Sequence, residues 1–231
     1  MSDVKPIPGL EHEPYAEVWL RAVDDDEWRE ASTKARELGK TGLEVWTTTE
    51  TPEVAPWLEA KGYAEVRRYV ISELEVASAP DEPPGIPLVT RRPELEPAMY
   101  ELALQAYPDQ PGRGGSKISA YEGWRGWSVE PHLPEACFIA LDGEKVVAYG
   151  FLEQGEDHWT HGFMAVERAH RGRGLAGAIK RAQIAWARAN GVARLRTATE
   201  TRLTSMRALN QRLGYVPLYE EIVMRGPAAA R

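Results

Sequence analysis

The sequence predicts an α/β fold, more closely α+β: a mixed, mostly antiparallel twisted sheet flanked by helices. Three observations carry this. Strand-like runs rich in Val, Tyr and Trp alternate with amphipathic helical segments along most of the 231 residues. The runs Phe138 to Leu141 and Val146 to Leu152 flank Asp142-Gly143, which is a hairpin signature and implies antiparallel pairing. Apolar residues make up 43% of the chain, enough to fill a real core.

The elements follow in order. Residues 1–13 are proline-rich and polar and read as an arm. Tyr15 to Val23 reads as a strand. Asp24-Asp25-Asp26 is a helix-start signal for a helix that runs to about Leu38 and stops at Gly39. Leu43 to Thr49 is a strand, Pro52 to Lys61 a helix, and Glu65 to Val76 another strand. Ala77 to Pro87 contains four prolines and a glycine and reads as a linker. A strand at Leu88 and a helix from Pro93 to Tyr107 follow. Next come a Pro/Gly loop over 108–116 and a short helix from Ser119 to Trp127. The hairpin leads through Gly155 to Asp157 into a strand from Trp159 to Val166. The chain closes with a helix from Leu175, a strand over Arg194 to Thr199, a helix over Met206 to Leu213, and a last strand.

The stretch from Val166 to Ala176 is the most informative. It is short and basic, and it opens a helix whose Leu175, Ile179, Ala182 and Trp186 stack on one face. Free N–H groups at a helix start, the positive end of the helix dipole and two arginines make an anion site. Gly172 and Gly174 remove the Cβ atoms that would keep an anion from the main chain. The stretch therefore reads as the holder of a phosphate-bearing cofactor.

Arg171-x-x-Gly174-x-Ala176 resembles the Arg/Gln-x-x-Gly-x-Gly/Ala signature of the GCN5-related N-acetyltransferase (GNAT) family, and Asn210 to Tyr215 resembles that family's closing motif. The order of elements from residue 88 onward is also that of a GNAT fold. The resemblance implies that Arg171, Gly172, Arg173, Gly174, Leu175 and Ala176 hold the pyrophosphate of acetyl-CoA. It implies that the backbone of Met164, Ala165 and Val166 meets the pantetheine arm, with Asn210 hydrogen-bonding nearby. Gly172-x-Gly174-x-x-Gly177 also fits a dinucleotide fingerprint, but five residues separate Val166 from Arg171, and no further βαβ units follow.

An internal repeat links the two ends of the chain. Ala35 to Gly39 parallels Ala187 to Gly191, Val45 to Thr51 parallels Leu195 to Thr201, and Ala60 to Tyr63 parallels Arg212 to Tyr215, at offsets of 152, 150 and 152 positions. Residues 1–85 thus read as a degenerate GNAT-like unit plus linker, and 86–231 as a complete GNAT domain. The first copy carries Asp24-Asp25-Asp26 where the second carries its basic loop, so one cofactor site is expected.

Charge follows the same division. Net charge is −7, which disfavours a general nucleic-acid binder. Residues 1–85 carry 9 Lys/Arg against 19 Asp/Glu, and 86–166 carry 6 against 12. Residues 167–212, around the loop, carry 11 against 2, a field that attracts a polyanion. A single cysteine, Cys137, excludes an internal disulfide and a cysteine-rich metal site, and no metal ligands are expected. No apolar run approaches the ~20 residues of a membrane span and no signal core opens the chain. The expectation is a cytoplasmic protein acting on a small-molecule amine, one of cationic character given the acidic segments, without a nucleic-acid or membrane partner.

Acyl transfer to an amine asks for a base, donors for an oxyanion, and in some cases a proton for the thiolate. The glutamate often found as base in the family falls at Thr160, which cannot serve. His161 and Glu153 are the catalytic candidates, with Asp157 and His158 near. The family's frequent acid, a tyrosine, is replaced by Asn210, which leaves Tyr215, Tyr219 and Tyr121 as candidates. Tyr107, Tyr121, Trp124 and Trp127 with Asp109 or Glu122 suggest an aromatic, acidic wall for an ammonium group. Two functions follow. One is an N-acetyltransferase using acetyl-CoA. The other is a non-catalytic acyl-CoA sensor or assembly module that keeps the loop and lacks the base.

Overall fold

A computed structural model describes residues 3–7, 10–110 and 117–230. Strands β1 to β10 are Lys5–Pro6, Tyr15–Trp19, Gly42–Thr48, Ala64–Glu75, Val89–Thr90, Phe138–Asp142, Lys145–Gln154, Trp159–Val166, Arg194–Glu200 and Val216–Pro227. Helices α1 to α6 are Asp25–Glu37, Val54–Glu59, Glu96–Ala106, Tyr121–Ser128, Leu175–Ala189 and Thr204–Arg212. The fold is a mixed α/β arrangement of twisted sheet and flanking helices, as expected. None of the helices is long and apolar enough to cross a membrane among the described residues.

The chain packs as two compact units that are not contiguous in sequence. One is Met1–Ile71, Thr199–Arg202 and Leu218–Arg231; the other is Ser72–Ala198 and Leu203–Pro217.

In the first unit the strand order is β1-β2-β3-β10-β4, with β2 parallel to β3 and β10 antiparallel to it. Ala16, Val18, Leu43, Val45, Ile222 and Met224 form its core with Ala31 and Ala35 of α1 and Val54 and Leu58 of α2. Helix α1 starts where its sequence says it should: Asp24 Oδ1 accepts from the N–H groups of Asp26 and Glu27 at 2.9 Å. It ends before Gly39, whose φ is 73°. The expected N-terminal arm is instead part of this unit. Lys5 and Pro6 pair with Glu17 and Ala16, and Ile7 and Leu10 are buried. Pro6 is tolerated because β1 is an edge strand, where a missing N–H costs no ladder bond. Helix α2 is also shorter than expected, beginning at Val54, after a turn in which Thr51 and Val54 donate to the carbonyls of Thr48 and Thr51.

The wholly buried carboxylate of Glu44 lies between two guanidinium groups in this unit. Arg67 donates at 2.5 Å and Arg225 at 2.7 Å, one to each oxygen.

In the second unit the order is β4-β9-β8-β7-β6-β5. Strands β5 to β8 are antiparallel and β9 runs parallel to β8. Helices α3 and α4 cover one face, where Met99, Leu102, Ala103 and Trp124 meet Tyr149, Phe151, Phe163 and Ala165. Helix α5 covers the other, where Leu175 and Ile179 meet Ala140, Ala148, Met164 and Val166. The run expected as one helix over 93–107 is broken at both ends into 3-10 turns, at Pro93–Leu95 and Tyr107–Asp109. Of the expected loop over 108–116, residues 111–116 lie outside the described residues. The linker is not loose. Arg181 donates to the carbonyls of Pro83 and Pro84, and Arg188 to Ala79 O and Asp81.

Matched places 152 residues apart have matched environments. Gly39 and Gly191 have φ of 73° and 71°, Gly62 and Gly214 of 86° and 92°. Tyr63 and Tyr215 are each 4% exposed. The residue-by-residue burial along β4 and β10 is the same over all 12 positions.

Glu44→Ala would leave two guanidinium groups without their partner at a buried site. The expected loss is about 3–5 kcal/mol of unfolding free energy. Urea denaturation measures it.

Candidate active site

The site is built on β8 and what flanks it, all within the second unit. On one side β8 is paired with β7 from Gln154↔Trp159 to Ala148↔Val166. On the other it is paired with β9 only at Trp159↔Leu195 and Thr160↔Arg196. Past Thr160 the two parallel strands part, so the β9-facing backbone of Met164, Ala165 and Val166 has no strand partner there. Ala165 is buried under α3, while Met164 and Val166 pack beneath α5.

Beyond Val166 the chain makes a 3-10 turn over Arg168–His170 and enters α5. Gly174 is the residue before the helix, with φ 83° and no side-chain cap, and Gly172 has φ 77°. A side chain at either would be strained in this left-handed region, although neither has a heavy atom within 4 Å of where a Cβ would sit. With glycine at the cap, no side-chain cap accepts from the first-turn N–H groups of α5. That is the cradle a pyrophosphate needs. Helix α1, at the matching place in the first unit, is the opposite: Asp24 already occupies its first-turn amides.

The two motif arginines differ. Arg171 donates from Nε to Val166 O at 3.0 Å and from a terminal nitrogen to Asp109 at 2.7 Å. Arg168 also holds Asp109, from Nε at 2.9 Å. Arg168 first and Arg171 second hold the Asp109 carboxyl well below the usual carboxylate range. Asp109, expected as a partner for an ammonium group, is therefore already neutralised. Arg173 is exposed, with no ion pair among the described residues.

A bulge in β8 decides where the candidate catalytic groups go. The register passes from Gly150↔Met164 to Leu152↔His161, so Gly162 and Phe163 lie opposite Phe151 alone. His161 is thereby turned onto the α5 face. It does not share a face with Glu153. Its Nδ1 donates to Gln183 Oε1 at 2.8 Å, and its Nε2 accepts from the Tyr215 hydroxyl. Burial, with the nearby Lys180 charge second, holds its imidazole well below the usual histidine range. Asn210 is buried near the end of α6, 4% exposed, and its carbonyl accepts from Tyr215 N at 3.0 Å.

Glu153 sits across β7–β8 from Thr160, on the α3–α4 face. Its side chain is 49% exposed. Partial burial raises its carboxyl above the usual range. His132 was not indicated by the sequence, because it lies in a loop with no motif. It packs on Phe151 with ring centroids 3.9 Å apart, and its Nε2 lies 3.9 Å from a Glu153 oxygen. Burial lowers the His132 imidazole, so it stays neutral near pH 7. Of the aromatic wall, Trp124 is wholly buried core and Tyr121 packs on it. Trp127 is 42% exposed beside Tyr107.

The family model of the acetyltransferase (GNAT) family matches residues 97–215, over half of the chain and all of this site. The chain belongs to the GNAT acetyltransferase family. A GCN5-related N-acetyltransferase from Sphaerobacter thermophilus is similar in structure, with TM-score 0.72, 18% identity, and 99% of this chain and 76% of that one covered. A tandem GNAT protein from the clavulanic acid biosynthesis pathway gives TM-score 0.68 at 18% identity, over 95% and 77%. A GCN5-related N-acetyltransferase from Kribbella flavida gives 0.61 at 17%, over 93% and 82%. At these identities the likeness shows a shared fold. A comparison with curated proteins found no match. In this GNAT chain the antiparallel β5 to β8 also rule out a doubly wound parallel sheet.

Gly162 has a local role that the family pattern does not reveal. A Cβ there would overlap the Phe151 ring and a Glu153 carboxyl oxygen. Gly162→Ala is expected to cost about 1–3 kcal/mol by forcing those groups aside. Thermal unfolding of the variant checks this.

Proposed function

We propose that this GNAT chain moves an acetyl group from acetyl-CoA to an amine of a small molecule, with one cofactor site per chain. The observation that carries the reading is the glycine-capped start of α5, beside strands that part after Thr160. Its open amides and the basic surroundings fit a pyrophosphate, with the main chain of Gly172 to Ala176 as the holder and Arg173 adding charge. The backbone of Met164, Ala165 and Val166 then suits the pantetheine amides, with Asn210 near. When bound, the cofactor supplies an activated acyl thioester.

The chain's own groups divide the remaining work. Glu153 takes the proton of the acceptor amine, directly or through water, since its raised carboxyl is a better base than an ordinary one. His132 lies 3.9 Å from it, beside Phe151. Residues 1–85 are read as a degenerate copy of the 86–231 domain, supported by the matched glycines and the matched burial of β4 and β10. With α1 capped by Asp24, that copy has no anion cradle.

Calorimetry with coenzyme A is expected to give a stoichiometry near one. Gly174→Asp is expected to weaken binding about tenfold or more, by losing charge-assisted contacts and adding repulsion. Arg173→Ala should do less. A stoichiometry near two, or normal affinity in Gly174→Asp, overturns the assignment.

A panel of amines with thiol detection tests turnover. A raised carboxyl pKa means that the deprotonated base appears only above the usual carboxylate range. The rate should therefore climb with pH across that limb. Glu153→Gln is expected to remove the limb and lower kcat by about 10²-fold or more. Coenzyme A binding without turnover on any amine would mark a sensor or assembly module instead.

A further inference from the structure

Lys180 is a charged side chain only 3% exposed, on the buried face of α5. An ammonium group has three donors. Among the described residues Lys180 Nζ uses one, to Thr197 Oγ1 at 3.1 Å, and lies 5.2 Å from the centre of the Tyr215 ring. Gln183, three residues on and wholly buried, has no partner for its Nε2. Thr197 is on β9 and His161 on β8, each one residue past the last pair that joins those strands. The unused donors of Lys180 and Gln183 thus collect where β8 and β9 begin to part. They lie within three turns of the helix start that Gly174 opens. Buried donors without acceptors are costly unless something else satisfies them.

The neighbours do not offer a proton. Asn210 has no acidic proton to give. Burial pushes the Tyr215 phenol far up, and its hydroxyl is committed to His161. Both nitrogens of His161 are engaged and its ring is neutral. His161 and Tyr215 are the titratable groups facing Lys180, and neither carries negative charge.

We propose that Lys180 Nζ is the catalytic group that meets the sulfur of the cofactor and gives it a proton as the thiol leaves, with Gln183 as a positioning residue. This rests on the function proposed above. The acceptor nitrogen bonds to the acyl carbon while Glu153 takes its proton; the carbon–sulfur bond breaks with its electron pair on sulfur, and Lys180 Nζ protonates that sulfur. Glu153 then releases its proton to water, and water returns one to Lys180. Burial pushes the Lys180 ammonium down to about 7, below an ordinary thiol near 8.5, so the transfer runs downhill.

The test compares coenzyme A with desulfo-coenzyme A by calorimetry, which needs no turnover. The wild-type protein is expected to favour coenzyme A about tenfold, through a hydrogen bond between Lys180 Nζ and the sulfur that desulfo-coenzyme A cannot make. Lys180→Met, of similar length and without charge, should bind both alike and fold at least as stably, since it removes a buried charge. Its kcat should fall about 10²-fold with KM for acetyl-CoA little changed. If Lys180→Met does not fold, Lys180→Gln carries the same comparison. Variants that keep the preference, or a kcat within twofold of wild type, overturn the role of Lys180 alone. A wild-type protein that binds neither ligand overturns the proposed function and this inference with it.

Discussion

Strands β8 and β9 share only two residue pairs before they separate, and the rest of the site depends on that separation. A parallel ladder continued to Val166 would satisfy the β9-facing backbone of Met164 to Val166 internally. It would also close the space in front of α5. Because the strands part, main-chain donors and acceptors stay available in the interior of the unit, where an unpaired group is costly. The β7 side remains fully laddered, so the strand is held rigidly while its other edge is open.

The two helix starts at matched places show how small a change switches such a site on or off. At α1, Asp24 reaches back to two amides and three acidic residues crowd the first turn. The helix is well capped and repels anions. At α5, glycine stands at the cap with φ 83° and offers nothing to the amides. A good cap is worth ~1 kcal/mol to a helix. Helix α5 forgoes it and is held instead by packing of Leu175, Ala178, Ile179, Ala182, Ile184 and Ala187 against the sheet. Stability by apolar burial leaves the helix terminus free for a ligand.

Buried polar groups divide into two kinds. Glu44 and Glu96 are each held by two arginines: Glu44 by Arg67 and Arg225, Glu96 by Arg91 and Arg125 at 2.8 and 2.9 Å. Both oxygens of each carboxylate are held, although Nε of Arg67 and of Arg91 has no partner among the described residues. Lys180 and Gln183 have no such compensation.

The sequence by itself determined the element order, the GNAT resemblance and the special conformation of the 172–174 loop, because these rest on local rules. Hydrophobic period names helix or strand, and glycine alone takes positive φ without strain. Asp24 caps α1 by reaching two and three residues along. The strand Trp159–Val166 and the start of α5 at Leu175 agree with the expected bounds for the same reason. Tertiary structure decided what lies far apart in sequence. The β8 bulge turned His161 away from Glu153 and toward Gln183 and Tyr215, which strict alternation along a strand could not foresee. Arg168 and Arg171 drew Asp109 into an ion-pair network across about 60 positions. Each compact unit gathers segments far apart in sequence. Packing buries Lys180 against Thr197 of β9, at a helix position with no sequence signal. Each of these depends on which surfaces meet, and long-range packing leaves no periodic signal in a single chain.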